Sequence, residues 1–289
     1  MEVVIIVLII ILALAIILAL LFHWYSNHFF KKLGLLYKEA VSKEVVIEKD
    51  LLYKNSDKQN LKMDIYRPGG KYRNEKVPVI ILLHGEGIER LLKDVKEWSI
   101  YTAYGRVIAD KGYAAVTFHR NRTNLNFNHS EVAQDILDAV AYVRKNADRW
   151  NLDADRICIW SFSLGGIYQS LFLKDTPEYI RCHVSYYGLL DVKYRVKNLK
   201  EEHKVYCPEN YLPKNGKKVS PLLIVKAKND KIRGVNASQD HFMQVAKSRN
   251  IPYEFILHST GGHTFDALND NEETQEVMEK TWEFIQRNL

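Results

Sequence analysis

Ser163 stands in the stretch Ser161-Phe-Ser-Leu-Gly-Gly166, after a short apolar run and before a predicted helix. A serine at such a strand-to-helix turn is exposed near a helix N-terminus, where backbone N–H groups favour negative charge. The turn is so tight that the residues two before and two after the nucleophile must be small, as Ser161 and Gly165 are. The usual first glycine is Ser161 here. The pattern predicts that Ser163 is a nucleophile for acyl transfer.

A serine hydroxyl is a poor nucleophile unless a base removes its proton. His263 follows the last predicted strand in a glycine-rich loop, from which a side chain can reach across the strand ends. We therefore expect His263 to be the base. We interpret His258, inside that strand, as structural, and His84 as a residue that shapes an earlier loop.

The base needs an acid that orients it and stabilises its charged form. Asp230 follows the predicted strand 222–226 and lies between the serine and the histidine in chain order, as a third member should. Asp191 follows the preceding strand and is the alternative. An aspartate in an Asn-Asp pair is also typical of a plain turn. We predict Asp230 as the acid.

The oxyanion of an acyl transfer needs hydrogen-bond donors. The backbone N–H of Leu164 is one candidate because this residue follows the nucleophile. The loop His84-Gly-Glu-Gly87 follows an earlier strand, so the N–H groups of Glu86 and Gly87 are the others. A carboxylate beside a developing oxyanion is unfavourable, so the Glu86 side chain must point elsewhere.

These residues require a sheet whose strands end at one edge. Val77–Leu83 is a continuous apolar run, as expected of a strand buried on both faces, and residues 130–146 have the spacing of an amphipathic helix. Strands alternate with helices along the chain, which predicts a mostly parallel, doubly wound α/β sheet flanked by helices. The predicted strands are 45–49, 62–66, 77–83, 113–118, 156–160, 182–186, 222–226 and 253–257, and the predicted helices are 98–110, 130–146, 164–173, 239–248 and 273–286.

The chain has 289 residues, of which 47% are hydrophobic, and residues 3–22 contain only Ala, Val, Ile, Leu and Phe. Twenty residues of helix span about 30 Å, the thickness of a hydrocarbon core. The run is too long for a signal peptide and lacks a basic start. We predict a transmembrane anchor at 1–22, a juxtamembrane linker at 23–44 and one α/β domain at 45–289. Residues 191–219 interrupt the alternation and are a lid insertion or a surface loop.

Lysines at positions 31, 32, 38 and 43 flank the apolar run only on its C-terminal side, which predicts a cytoplasmic α/β domain and a single-pass N-terminal anchor. The formal charge of +6 is scattered, and no nucleic-acid-binding motif occurs, so nucleic acid is not an expected partner. Metal-ligand and phosphate-loop motifs are also absent, so we expect neither a metal nor a cofactor. Three cysteines fit free thiols in a reducing compartment, although one disulfide is possible.

From about Glu44 to Leu289 the sequence resembles the α/β-hydrolase superfamily, in particular the small serine esterases related to hormone-sensitive lipase, feruloyl esterase-like and dienelactone hydrolase-like enzymes. Two departures are Ser161 and Glu86, where glycines are usual. The motifs that carry the resemblance are His84-Gly-x-Gly87, Asp135 and Asp138, Asp155-Arg-Ile157, Ser163 with Gly165-Gly166, Asp230, and Gly262-His-Thr-Phe265.

The resemblance implies a serine hydrolase, a carboxylesterase that acts on small esters through Ser163, Asp230 and His263, and the apolar run adds the membrane anchor to this prediction. Two alternatives stay open. A serine peptidase of the prolyl oligopeptidase type shares the order of these residues, although it usually carries a large N-terminal propeller. A catalytically silent binding protein on the same fold is the other, and Glu86 is the reason to keep it. The sequence does not specify the natural ester or the oligomeric state.

Overall fold

The computed structural model describes residues 2–38, 44–55, 60–72, 75–85, 95–121, 129–196, 200–214 and 219–289. The first helix, α1, spans Glu2–Lys32. In these ranges no helix combines the length and the apolar character that crossing a membrane requires. The predicted transmembrane span over residues 1–22 therefore stays a prediction.

From residue 77 onwards strands alternate with helices as the sequence predicts, except between residues 186 and 222, where the described residues form only 3-10 helices. The strands are β1 (Val46–Asn55), β2 (Asn60–Arg67), β3 (Val77–Leu83), β4 (Ala114–Phe118), β5 (Leu152–Phe162), β6 (Ile180–Tyr186), β7 (Leu222–Ala227) and β8 (Glu254–His258). The helices are α2 (Ser99–Asp110), α3 (His129–Lys145), α4 (Ser170–Leu173), α5 (Val235–Ser248), α6 (Phe265–Leu268) and α7 (Glu272–Asn288).

The strands form one eight-stranded sheet in the order β1-β2-β4-β3-β5-β6-β7-β8. The strand β2 pairs antiparallel with both β1 and β4, and all other neighbours are parallel. The carboxyl ends of the parallel strands therefore meet at one edge, which is where open α/β sheets bind ligands. The predicted mostly parallel α/β sheet is confirmed.

Side chains of β3 enter the core on both faces of the sheet, which explains its unbroken apolar sequence. Ile80 and Leu82 pack in the cluster that contains α2 and α7 residues, whereas Val79 and Ile81 pack in the cluster that contains α3 residues. All seven residues of this strand are buried. The centre of the sheet is thus a rigid support for the loops at its edge.

The segment after Ser163 differs from the prediction of an α-helix over residues 164–173. It forms a 3-10 helix over Ser163–Gln169 and becomes α-helical only in α4. In this tighter turn, Gly165 packs against the backbone of Leu83 and Gly166 packs against the backbone of Leu189. A 3-10 turn is a frequent way to begin a helix.

The insertion 191–219 packs beside this 3-10 helix. Its described residues contain three short 3-10 helices, Val192–Tyr194, Glu201–Tyr206 and Pro208–Tyr211. Tyr206 and Cys207 are buried in the cluster that also contains Tyr168, and Leu164 packs at its margin. The insertion therefore lies close to the segment that follows Ser163, and whether it opens and closes as a lid stays a prediction.

Residues 33–38, which we call the docking segment, are bound to the α/β body. The Leu36 N–H donates to the backbone carbonyl of Asp266 at 2.8 Å. The buried Tyr37 donates its hydroxyl proton to Glu279 Oε1 at 2.6 Å, and the Lys38 N–H donates to Gln275 Oε1 at 2.9 Å. Part of the stretch predicted as a linker is thus packed against α6 and α7.

Candidate active site

Ser163 lies at the sharp turn that leaves the carboxyl end of β5. Its φ is +52°, a left-handed conformation that is uncommon for a residue with a side chain and that often marks functional sites. A hydrogen bond from a neighbouring loop stabilises the turn, because the Leu189 N–H donates to the Ser163 carbonyl at 2.8 Å. A Cβ atom on Gly85 would lie 2.7 Å from Ser163 Cβ, so this position admits only glycine.

Ser161, where a glycine is usual, is fully buried and hydrogen-bonded. Its Oγ donates to the Val184 carbonyl at 3.3 Å and accepts from Gln169 Nε2 at 2.5 Å. Gln169 Nε2 also donates to the Val184 carbonyl at 2.9 Å. The serine therefore joins β5 to the end of the 3-10 helix and to β6, and its hydroxyl costs little because its hydrogen bonds are made.

Asp230, His263 and Ser163 form a chain of two hydrogen bonds. His263 Nε2 lies 2.9 Å from Ser163 Oγ, and His263 Nδ1 lies 2.6 Å from Asp230 Oδ2. The Asp230 side chain is fully buried, and its Oδ1 accepts the Ile232 N–H at 2.8 Å. The carboxylate can therefore accept the Nδ1 proton, which leaves Nε2 free to take a proton from the serine. The three residues predicted to act together are adjacent.

The predicted oxyanion donors are described only in part. Leu164 is the second residue of the 3-10 helix, so its N–H has no partner within that helix. It can donate to an oxygen held beside Ser163. Glu86 and Gly87 lie outside the described residues, and their predicted role stays a prediction.

Asp191, the alternative acid, is held by other groups. Its Oδ1 accepts the Lys193 N–H at 2.9 Å and the Cys207 thiol at 3.2 Å, and its Oδ2 pairs with Lys193 Nζ at 2.5 Å. The described contacts thus join the imidazole of His263 to Asp230 and not to Asp191.

Asp191, Glu209 and His241 are also the residues best placed to hold a metal ion, because their donor atoms lie within 4.8 Å of one another in the described part of the chain. The ammonium of Lys193 lies among them, 3.3 Å from Glu209 Oε1 and 3.1 Å from His241 Nε2. A cation of the protein itself therefore occupies the position of a metal. Burial and the neighbouring Asp191 raise the pKa of Glu209 to about 7.

The other two histidines considered in the sequence make structural contacts. His258 is buried, accepts the Gly261 N–H at Nδ1 (2.8 Å) and therefore donates from Nε2 to Thr274 Oγ1 (2.9 Å). His84 is buried as well, with Nδ1 2.9 Å from the Gly85 carbonyl. Burial lowers the pKa of His258, which agrees with a neutral ring.

Two residues beside His263 are missing from the predicted site. The ring of Tyr187 lies 4.8 Å from the imidazole ring, centre to centre. The Tyr187 hydroxyl donates to Asp266 Oδ1 at 2.9 Å, and burial raises the pKa of Asp266 to about 6. Tyr187 directly follows β6, so its place at the sheet edge is readable from the sequence, whereas nothing in the sequence pairs it with Asp266.

Known proteins with the same fold were found by comparison of sequence and structure. The BD-FAE family model matches residues 63–176. No curated protein sequence matches the chain.

Three of the similar solved structures are esterases. An esterase of Pyrobaculum calidifontis has a TM-score of 0.68 and 15% identity over 92% of each chain. A thermophilic esterase of Thermogutta terrifontis has a TM-score of 0.66 and 16% identity over 84% of this chain and 92% of its own. A truncated carbohydrate esterase from gut microbiota has a TM-score of 0.64 and 17% identity over 87% of this chain and 99% of its own.

The likeness to these structures extends over most of each chain, and the family-model match includes Ser163 and both glycines that follow it. Together with the sheet order and the turn after β5, these matches confirm the fold expected from the sequence motifs. The chain has the α/β-hydrolase fold.

Proposed function

We propose that this protein is a serine hydrolase, specifically a carboxylesterase that acts on small esters. The observation that carries the proposal is the unbroken chain of hydrogen bonds from Asp230 through His263 to Ser163, at 2.6 and 2.9 Å. A histidine at this distance from a serine at the edge of the sheet supports proton transfer between them. The esterase relatives and the carbohydrate esterase support ester hydrolysis as the chemistry.

The reaction proceeds in two halves. Ser163 Oγ attacks the ester carbonyl carbon while His263 Nε2 takes the hydroxyl proton, and the Leu164 N–H stabilises the oxyanion. The intermediate then expels the alcohol, which receives its proton from His263. Water attacks the acyl-serine by the same route and releases the acid. Asp230 stabilises the imidazolium during both halves.

We also propose that α1 anchors the enzyme to a membrane, with the α/β body on the cytoplasmic side. The support for an anchor comes from the sequence, where the apolar run of residues 3–22 corresponds to about 30 Å of helix, the thickness of a hydrocarbon core. Apolar side chains along α1 are exposed, with 62% of Leu12 and 66% of Leu18 accessible. Exposed apolar surface of this length is costly in water and favourable in lipid. The lysines after the apolar run favour the cytoplasmic side.

Labelling of the full chain in detergent with a fluorophosphonate probe tests the serine hydrolase. We expect labelling of the wild type, none of Ser163→Ala, and full labelling of Ser170→Ala. Ser170 is a suitable control because it is buried on the same segment and only bonds the Ile167 carbonyl. A folded wild type that is not labelled would leave the binding-protein alternative.

Turnover separates the two enzymatic alternatives. We expect short p-nitrophenyl esters to be hydrolysed and aminoacyl-proline amides to be left intact. Faster cleavage of the amides would instead identify a peptidase of the prolyl oligopeptidase type. A structure of the Thermogutta terrifontis esterase contains bound butyrate, and a similar protein of Caldicellulosiruptor lactoaceticus is named as an acetyl ester-xyloside hydrolase, so acetyl and butyryl esters are the first acyl chains to compare.

A further inference from the structure

The imidazole of His263 rests on a buried group of three side chains from distant parts of the chain, which we call the support group: Tyr104 of α2, Tyr187 after β6, and Asp266 of α6. Asp266 accepts hydrogen bonds from both tyrosines, from Tyr104 at Oδ2 (2.6 Å) and from Tyr187 at Oδ1 (2.9 Å). None of the three belongs to the chain of hydrogen bonds that ends at Ser163.

Tyr187 has a strained backbone. Its φ is +37°, in the left-handed region that residues with bulky side chains rarely occupy. Its N–H donates to the Val225 carbonyl at 2.8 Å, which holds the backbone, and Asp266 holds the hydroxyl at the other end of the side chain. The ring is thereby fixed at both ends. Such strain persists only where the surroundings enforce it, and it is concentrated at functional sites.

The fixed ring packs against the imidazole in a tilted arrangement. The two ring centres are 4.8 Å apart and the planes meet at 58°. Asp230 holds the imidazole only at Nδ1, so this hydrogen bond leaves the ring able to swing about that point. A rigid side chain packed against the imidazole removes that freedom and keeps Nε2 directed at Ser163 Oγ.

Burial of the Asp266 carboxylate is energetically unfavourable, which a purely structural role does not require. It is fully buried, and a buried carboxylate is disfavoured unless it is hydrogen-bonded or paired with a positive charge. Its two tyrosine donors satisfy it, and its charge interacts favourably with that of His263 when the imidazole takes a proton. The charge of Asp266 thus faces the group that becomes cationic in the reaction.

We propose that Asp266 is a positioning residue that acts through Tyr187 to hold the His263 imidazole in line with Ser163. The proposal rests on the proposed function, because it assigns the support group a part in that reaction. Tyr187 is the contact that transmits the effect, and Tyr104 holds the second oxygen of the carboxylate.

Tyr187→Phe is the most conservative test, because it keeps the ring and removes only the hydrogen bond to Asp266. In the full chain in detergent, we expect kcat on p-nitrophenyl acetate to fall about tenfold while KM stays within about twofold, since the bond acts on the base and not on substrate binding. Tyr186→Phe is the matched control. Its hydroxyl is equally buried and bonds Thr281 Oγ1 at 2.7 Å, away from His263, so kcat should stay at the wild-type value.

Comparison of Tyr187→Phe with Tyr186→Phe separates an effect on the position of His263 from an effect on protein stability. Each variant loses one buried hydroxyl, so their melting temperatures should fall by similar amounts. A Tyr187→Phe enzyme with the kcat of the wild type would overturn the proposal. An equal loss of kcat in Tyr186→Phe would overturn it as well, because the effect would then be a general one of core hydroxyls.

A second readout does not require turnover. The titratable groups that face Asp266 are Tyr104 from α2, Tyr187 from the end of β6, and His263 from the loop before α6. If Asp266 restrains the imidazole through Tyr187, Asp266→Asn should let the ring swing and expose the Nδ1 proton that it donates to Asp230, and this proton should then exchange with water faster than in the wild type. NMR spectra of the imidazole protons, assigned with His263→Ala, measure this exchange.

An unchanged exchange rate of the His263 Nδ1 proton in a folded Asp266→Asn protein would contradict the proposal even if no ester were hydrolysed. If the wild type fails to label or turn over esters while the exchange rate rises as expected, the proposed function fails and the positioning role stands. Tyr187→Phe remains decisive where Asp266→Asn does not fold.

Discussion

A Cβ atom placed on Gly165 would lie 2.2 Å from the carbonyl oxygen of Leu83. The segment after Ser163 therefore touches the end of β3, and residue 165 has no room for any side chain. This contact sets the height of the turn above the sheet, and with it the position of the Ser163 hydroxyl relative to His263.

Gly165→Ala should reduce activity more than it reduces stability. The added methyl group forces the turn away from β3, which costs about 1–3 kcal/mol as overpacking and misplaces the nucleophile. We expect esterase activity to fall about 100-fold, measured with the thermal unfolding of the same preparation. Gly34→Ala is the control, because a Cβ there meets nothing within 4 Å. Full activity of Gly165→Ala would contradict the tight contact.

Asp230→Asn should lower kcat by about 10⁴-fold while the protein stays folded, because an amide cannot hold the imidazole in the required tautomer and does not stabilise the imidazolium. Asp191→Asn tests the alternative acid. It should lower stability, since it breaks the pair with Lys193, and leave kcat of the folded protein close to the wild-type value. Steady-state kinetics on both variants decides which aspartate is the acid. A large loss of kcat in Asp191→Asn with little loss in Asp230→Asn would make Asp191 the acid.

The sequence predicts those parts of the fold whose pattern is local. The apolar run Val77–Leu83 has the same bounds as β3. A strand buried on both faces is apolar at every position, so its first and last residues are recognisable in the sequence. Ser163 is predictable because the turn requires small neighbours and a strand before it. His263 and Asp230 follow from chain order and from their places after β8 and β7.

Contacts between distant segments are not readable in the same way. The bond between Tyr187 and Asp266 joins residues that belong to different elements, and each of them alone looks like an ordinary core or turn residue. The docking segment lies within residues 23–44, the stretch predicted from the sequence to be a juxtamembrane linker. Its order comes from partners on α6 and α7 that only the folded body brings together.

Glu273 should make stability depend on pH in the acidic range. It accepts the N–H groups of Ser259 and Thr260, at 2.5 and 3.1 Å, in the loop that leads to His263. Burial opposes ionisation, but these hydrogen bonds prevail and lower the pKa of Glu273 from 4.5 to about 2. A carboxyl whose pKa is lower in the folded state contributes stability that is complete above its unfolded pKa and is lost as the pH falls through the folded one.

Glu273→Gln should therefore be less stable than the wild type above about pH 5, and the difference should shrink as the pH falls from about 4.5 towards 2. Urea unfolding at several pH values measures it. Glu276→Gln on the same helix is the control, since Glu276 only pairs with Lys280 at 3.6 Å. A pH-independent difference would mean that the charge of Glu273 has no part in holding the loop.

Removal of residues 1–30 should release the protein from membranes. We expect the full chain to stay in the pellet after extraction with alkaline carbonate and the shortened chain to appear in the supernatant. Protease added to intact cells should leave the body uncut, in agreement with a cytoplasmic side. A full chain that is extracted by carbonate would argue against α1 as an anchor.

Removal of the docking segment should destabilise the body. A chain that starts at residue 45 loses the buried Tyr37 and its bond to Glu279, whereas one that starts at residue 33 keeps both. We expect the shorter chain to be less stable by at least about 2 kcal/mol in urea unfolding. Equal stability of the two would show that the segment merely rests on the surface.

The place where the docking segment begins has a consequence for how the enzyme finds esters. The docking segment starts at Leu33, directly after α1 ends at Lys32. The proposed anchor and the body are therefore joined without a flexible linker between them. A catalytic body joined to its anchor by a long flexible linker can move through a wide volume of solution. A body joined this closely to its anchor stays at a nearly constant distance from the lipid. It would meet molecules that partition into the headgroup layer far more often than those dissolved in bulk water. Such an enzyme selects its substrates first by where they reside and only then by their shape.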